Sequence, residues 1–340
     1  MESDSDRFPR VSIIVVNLNG KKYFEECLTS LLTQDYPHYE IVLVDNGSTD
    51  GSVELFQAAA SRIRPDLTLK ILRNSTNRGF AEANNQGVSA STGEYLAFVS
   101  NDIRLQMDWL RRMVEAIRPN KQIACIQSHL RQLAHPHLAD NIGGELDVLG
   151  MNHPARPADP YCEPFYVEFC ATILRRSVLN KTAGLFDPQY FVFFEDVDFC
   201  WRARLAGCKV LLVNSPTAFH VRGGSAAGTV MRKQPFHAFL TARNRLTTLF
   251  RNYSEVSLAR WMMLALAVEF CIALWLALKR DPRGRYVLMG IAFFLWRMPG
   301  SLKHRRVVRR IRRVDETSIT RSMVKASKGL RDILRYRSQV

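Results

Sequence analysis

An α/β fold with a mostly parallel central sheet flanked by helices is what this sequence of 340 residues predicts, and three observations predict it. Short runs rich in Val, Ile and Leu alternate with stretches of helical period through the first part of the chain. Those runs are continuously apolar, as strands covered on both faces are. Hydrophobic residues make up 47% of the chain, enough for a sizeable core.

The elements follow in order. "VSIIVVN" (Val11 to Asn17) reads as a strand, and Lys21 to Leu32 as an amphipathic helix. "EIVLVDN" (Glu40 to Asn46) is a second strand, followed by a helix in "GSVELFQAAASRI". "LTLKILRN", a helical "GFAEANNQGVSA", the strand "EYLAFVSND" and a helix around Met107 to Ile117 complete the alternation. In "DNGSTDGS", Ser and Asp stand where a helix start is capped.

Ligands of such sheets bind beyond the carboxyl ends of the strands. Those ends are polar throughout: Asn17, Asp45-Asn46, Arg73-Asn74 and Asn101-Asp102. There is no GxGxxG and no GxxxxGK[ST], which argues against a dinucleotide dehydrogenase and a P-loop NTPase.

Further along, "FVFFEDVDFCWRARLAG" (Phe191 to Gly207) crowds Glu195, Asp196 and Asp198 behind an aromatic run that reads as a buried, apolar strand. Carboxylates in such a place are costly unless a partner or a reaction uses them. The stretch after them reads as an amphipathic helix ended by Gly207. Asp198 fits two readings, a charge favoured at a helix N-terminus or a working group.

Charge is unevenly placed. Of the formal net charge of +15, residues 279–340 carry +14 (18 Lys and Arg against four acidic residues), leaving +1 (29 against 28) for the rest. No nucleic-acid partner is expected for the folded part. The seven cysteines are scattered, with no CxxC spacing, and are expected to be reduced thiols. "MESDSDRFPR" has no apolar stretch, so no secretory signal is expected and the site is expected in the cytoplasm.

"WMMLALAVEFCIALWLAL" (Trp261 to Leu278) is long enough to cross a bilayer, yet Glu269 sits at its centre. A mid-membrane acid costs roughly 2.5 to 3.5 kcal/mol, and a lone crossing would export the basic tail against the positive-inside tendency. The next apolar run, Tyr286 to Trp296, is too short to cross. The expectation is an interfacial or re-entrant helical hairpin. "KHRRVVRRIRR" (Lys303 to Arg313) would lie on anionic lipid, at the cytoplasmic face of the cell membrane. The domains are accordingly 1–254, catalytic, with a donor half near 11–125 and an acceptor half near 126–254, and 255–340, a membrane-associating appendage.

Taken together, "VSIIVVNLNG", "EIVLVDNGSTDGS", "NRGFAEANNQG", "GEYLAFVSND", "GLFDPQYFVFFEDVDFCWRARLAG" and "AFHVRGGS", in that order, resemble family 2 glycosyltransferases, and within them a rhamnosyltransferase-like group. The resemblance covers roughly Val11 to Arg251. It implies an A-type glycosyltransferase fold, a nucleotide-diphospho-sugar donor, a divalent metal (Mg2+ or Mn2+), and single-displacement transfer with inversion to a cell-envelope glycan or lipid-linked acceptor. By motif, Asp45 and Asn46, with Asn17 nearby, and Ser100, Asn101 and Asp102 belong to donor binding. Asp102 and His220 are the metal ligands, and Asp196 is the general base, with Glu195 beside it. Asp198 and Arg243 are possible supports, Arg243 through a phosphate contact. "SND" departs from the family pattern, since Ser100 stands where an Asp or Asn is usual.

The chemistry suits these residue types. A departing diphosphate gathers negative charge that a hard cation on oxygen ligands stabilises, and inverting transfer needs a base for the acceptor hydroxyl. "NIGGELDVLG", within a His-, Pro- and Gly-rich stretch from His129 to Pro164, resembles a family signature of no assigned role. His135 and His137 read as a solvated loop pair rather than a second metal site. Asn77, Asn84 and Asn85 fit helix packing as well as donor binding. Two rivals remain: a catalytically silent membrane-associated nucleotide-sugar-binding protein, and a sugar nucleotidyltransferase, for which "NLNGKKYFEE" is a poor triphosphate loop.

Overall fold

The computed structural model describes residues 8–140, 143–155, 160–221 and 234–324. Residues 222–225 of the last motif, 141–142 of "NIGGELDVLG" and the tail after 324 lie outside them.

Strands β1 (Val11–Asn17), β2 (Tyr39–Asp45), β3 (Thr68–Arg73) and β4 (Tyr95–Ser100) are parallel, in the order β3-β2-β1-β4. Helices α1 (Lys21–Leu32), α2 (Ser52–Ile63) and α3 (Gly79–Ala90) connect them. Alternate β1 residues face opposite layers: Val11, Ile13 and Val15 pack with Phe24, Leu28 and Phe56 of α1 and α2, and Ile14 packs with Ala81 of α3. The register sets Asn17 beside Asp45, Asp45 beside Arg73, and Val16 beside Ser100, so the polar strand ends line one edge.

The chain then adds β5 (Ile103–Leu105), α4 (Trp109–Ile117), β6 (Ile123–Gln132), a hairpin of β7 (Gly144–Leu146) and β8 (Asn152–Pro154), β9 (Tyr161–Cys162), β10 (Ala171–Arg175), α5 (Val178–Thr182), α6 (Glu195–Leu205) and β11 (Lys209–His220). The sheet continues β4-β10-β6-β11-β5. β10 runs antiparallel to β4 and β6, and β5 and β9 antiparallel to β11, so the sheet is mixed beyond β4. The expected buried strand at Phe191 to Phe194 is instead a turn. Pro188–Tyr190 forms a single 3-10 turn, and Phe191, Phe193 and Phe194 take left-handed φ of 65°, 72° and 72°. Only Phe194 of the four is buried.

Four helices close the described chain: α7 (Pro235–Asn252), α8 (Glu255–Leu278), α9 (Arg283–Ile311) and α10 (Glu316–Ser322). The short apolar run Tyr286 to Trp296 is one segment of α9, which continues through Pro299 into the basic stretch. α8 and α9 form a helical hairpin, and α9 also lies along α7. Leu246, Leu249 and Phe250 of α7, Ala265 and Ala273 of α8, and Val287, Ile291 and Phe294 of α9 share a core with Trp201 of α6. Glu269 is explained locally: it is buried and pairs with Arg245 of α7 at 2.6 Å. Among the described residues α8 is the one helix long and apolar enough to cross a membrane. Its Met263, Leu264, Phe270 and Leu274, with Leu288, Met289, Leu295 and Trp296 of α9, are exposed.

Candidate active site

The strand ends form a hydrogen-bonded floor. Asn17 is fully buried. Its Nδ2 donates to Asp45 Oδ1 (3.2 Å), Ser48 Oγ (3.1 Å) and Ser52 Oγ (2.8 Å), while its Oδ1 accepts from Asn101 Nδ2 (2.9 Å). Asn17 therefore positions Asp45 and Asn101 rather than offering free groups of its own. Asp45 also accepts from Ser48 N (3.1 Å). Asn46, buried, donates to Asn77 Oδ1 and Gly79 O and accepts from Asn74 Nδ2 and Arg78 N, which ties the third motif to the floor. The α2 start has no side-chain cap: Ser52 Oγ serves Asn17, and Asp50 accepts from Lys21 N and Ser52 N. Gly20 lies so close to this floor that a Cβ would stand 2.3 Å from Asn101 Nδ2, closer than any side chain tolerates.

Asp102 and His220 meet because β5 and β11 pair with Ile103 opposite His220. Asp102 Oδ2 lies 3.0 Å from His220 Nε2, and Asp140 Oδ2 lies 2.8 Å from His220 Nδ1. Burial works to lower the His220 pKa, but the bonds and charges of Asp102 and Asp140 outweigh it and raise it to about 9. Asp140 was missed from the sequence: it sits in the connection after β6, directly before "NIGGELDVLG", a stretch to which no role was assigned. Among the described residues no three His, Cys, Asp or Glu side chains gather into a metal cage. The donor set still fits a hard cation: one carboxylate and one imidazole leave positions that waters and phosphates fill. Asp102 and His220 Nε2 would hold the ion, with Asp140 fixing the ring from behind.

Glu195, Asp196 and Asp198 lie in the first turn of α6. Asp196 is half-buried, and Glu195 and Asp198 are buried. Burial raises Asp196 to about 6, although the Val197 N–H donates to its Oδ1 at 2.7 Å. Burial, and then the Asp196 charge, push the Glu195 carboxyl well above the usual range, and its Oε2 is a buried atom with no hydrogen-bond partner. Just before β10, burial raises the Cys170 thiol, and the negative charges of Glu168, Asp102, Asp196 and Asp140 raise it further. The Cys170 carbonyl accepts from Ser100 N at 2.9 Å.

Asp198 faces away from the cleft into a scaffold, accepting from Arg202 Nε (2.8 Å) and Asn252 Nδ2 (2.8 Å). Arg243 donates through Nη2 to the Gln189 and Tyr190 carbonyls. Its neighbour Asn244 donates to the Tyr190, Val192 and Phe193 carbonyls, which holds the left-handed turn in place. The donor side clasps the same turn: a Cβ on Gly79, at φ +85°, would stand 2.6 Å from Phe191 O, and Asn85 bonds both backbone groups of Phe186. His135 and His137 are exposed, and all seven cysteines are free.

Solved structures share this architecture. GalNAc-T7, in a crystal structure with UDP, GalNAc and Mn2+, superposes with a TM-score of 0.59 at 17% identity, over 73% of this chain and 49% of that one. S. aureus TarS with UDP-GlcNAc gives 0.58 at 18%, over 82% and 79%. The Pyrobaculum calidifontis mannosyltransferase PcManGT, with GDP-Man and Mn2+, gives 0.54 at 16%, over 85% and 88%. The fold is thus that of the A-type glycosyltransferases. The "Glycosyl transferase family 2" model matches residues 12–183, and the chain belongs to that family of enzymes. An uncharacterized glycosyltransferase of Haemophilus influenzae is 25% identical over 246 residues, 70% of this chain and 74% of that one. Glycosyltransferase AglE of Haloferax volcanii is 24% identical over 295 residues, 82% and 84%.

Proposed function

We propose that the protein transfers a sugar, rhamnose being the candidate carried by the motifs, from a nucleotide-diphospho-sugar to a hydroxyl of an envelope glycan or lipid-linked acceptor. Inversion at the sugar carbon follows from a single displacement. The work takes place at the cytoplasmic face of the membrane, where the α8–α9 hairpin rests.

The observation that carries this reading is the Asp102–His220 pair, 3.0 Å apart where β5 meets β11, with the Asp196 carboxyl at the start of α6 as the candidate base. A half-buried carboxylate at a helix N-terminus, with its pKa raised to about 6, remains ionised at neutral pH and is basic enough to take the acceptor proton. Burial and the Asp196 charge push the Glu195 carboxyl beside it toward the neutral form, which limits the negative charge near the acceptor. Mg2+ or Mn2+ on Asp102 and His220 would neutralise charge on the departing diphosphate. Asp45, Asn46, Ser100 and Asn101 line the donor side, with Asn17 holding two of them in place. Ser100 brings a hydroxyl and no charge.

The test is nucleotide diphosphate release from UDP-, dTDP- and GDP-sugars, with and without Mn2+, in membrane extracts carrying acceptor lipids. Metal-dependent release from one donor supports the reading and identifies the nucleotide. No release from any donor, with acceptors demonstrably present, would favour a silent binding protein.

A further inference from the structure

A line of aromatic rings joins the active-site turn to the exposed apolar hairpin. Phe191 meets Phe236 edge-on with centroids 6.1 Å apart, and Phe236 stacks on Phe239 at 6.1 Å. Phe239 meets Phe293 at 5.8 Å, and Phe293 meets Trp296 at 5.3 Å. Trp296 is 70% exposed and Phe236 51%, so the line runs along the surface rather than through the core.

Beside this line, between α7 and α9, lies a cavity of about 100 Å3 lined by Arg243, Arg251 and Arg297. Arg243 lies over both Phe239 and Phe293, 5.3 and 5.6 Å from their centroids. Asp187, the acid nearest this cluster, is already paired with Arg251 (2.7 Å) and His304 (3.3 Å). Arg297 has no ion-pair partner among the described residues and rests over the Trp296 ring at 5.7 Å. Burial lowers Arg243 to about 10 and the Arg251 and Arg297 charges contribute, with Tyr190 and Asp187 acting in the opposite sense. Positive charge here exceeds the negative charge set against it.

We propose that this cavity is the subsite for the phosphate or diphosphate of the acceptor, and that the aromatic line holds the apolar chain carrying it. The acceptor is then an amphiphile: a glycan joined through diphosphate to a prenyl-type chain drawn from the bilayer. Arginine suits this role, because its planar donors match phosphate oxygens in pairs and its face stacks on rings. The subsite adjoins Gln189 and Tyr190, seven and six residues before Asp196 in the chain, so it would seat the acceptor beside the base. The inference rests on the transferase reading of the cleft.

The experiment uses the full chain in mild detergent and metal-free buffer, with radiolabelled farnesyl diphosphate as the probe and farnesol and inorganic pyrophosphate as competitors. The wild type is expected to bind farnesyl diphosphate at least tenfold tighter than either competitor. Arg297→Gln is expected to lose most of that margin and Trp296→Ala part of it. Both residues are exposed, so folding should survive, and nucleotide diphosphate affinity measured with Mn2+ should stay within twofold. Pyrophosphate competing as well as the lipid would overturn the proposal by removing the chain from recognition. Unchanged lipid affinity in both variants would overturn it by placing the lipid elsewhere. Lipid binding intact in a chain that turns over no sugar nucleotide would sink the transferase reading and leave the subsite standing.

Discussion

Two adjacent carboxyls at one helix start, Glu195 and Asp196, differ in burial. Glu195 is buried with an unsatisfied oxygen, which pushes its carboxyl toward the protonated form, whereas Asp196 is half-buried. Asp196→Asn keeps shape and removes basicity. It is expected to cut turnover by about 10²- to 10⁴-fold while calorimetry finds donor affinity within twofold of wild type. The pH profile gives an independent check. The free base must be ionised, and its pKa is raised to about 6, so kcat/KM should be flat above that pH and fall tenfold per unit below it. An acid limb near the ordinary Asp value of 3.8 would place the base elsewhere. At this scale the motifs pointed to the acids as candidates, but not to their depth. Asn17 looked like a donor contact and is a fully bonded hub, because a strand-end residue in a string carries no sign of what surrounds it.

The element that decides the site is the turn before α6, and here local sequence misleads. "FVFF" has strand composition, yet three of its residues are left-handed, a conformation that costs of order 1–3 kcal/mol each and persists only where surroundings enforce it. The enforcing groups come from Arg243 and Asn244, some fifty residues later in the chain, which is why no window around the turn could reveal it. Asn244→Ala would remove the side-chain donor of the Val192 and Phe193 carbonyls, at roughly 1–3 kcal/mol. Thermal unfolding should report that loss. Kinetics should show turnover falling about tenfold or more with donor affinity kept, because Asn244 acts through the base and not through the nucleotide. A lowered melting temperature with normal turnover would reduce Asn244 to a stabilising role. The strands and helices of the first half, by contrast, were legible almost to the residue, since each is a local period covered by its sequence neighbours. Antiparallel β10 was not, because its partners β4 and β6 lie far away in the chain.

At the scale of the whole molecule, the C-terminal helices are joined to the catalytic part more closely than a boundary at 254 suggests. Arg305 of α9 donates to the Phe250 and Tyr253 carbonyls at 2.5 and 2.7 Å, closing the end of α7, and Glu269 answers the buried charge of Arg245. A chain ending at residue 254 would uncover that core and strand a buried arginine, a loss of about 3–5 kcal/mol for the ion pair alone. It is expected to aggregate on expression; a soluble, cooperatively melting 1–254 fragment would contradict this.

The outer side of the same helices argues for a lipid surface. Leu288, Leu295, Leu302 and Arg306 recur at helical spacing and are all exposed, so the apolar and basic parts of α9 share one side. Such a side gains from both acyl and headgroup contact, and the two contributions respond differently to salt. In detergent-free fractionation the wild type should sediment with membranes and release only in part at high salt. Lys303→Glu/Arg306→Glu/Arg310→Glu removes the attraction to anionic headgroups, each charge contributing on the order of 1 kcal/mol; that variant should bind weakly at every salt concentration, through the apolar side alone. Leu288→Ser/Leu295→Ser/Trp296→Ser should bind at low salt and release completely at high salt. A wild type that stays in the supernatant at low salt would leave the exposed apolar side to a protein partner, and the acceptor would then have to reach Asp196 from solution.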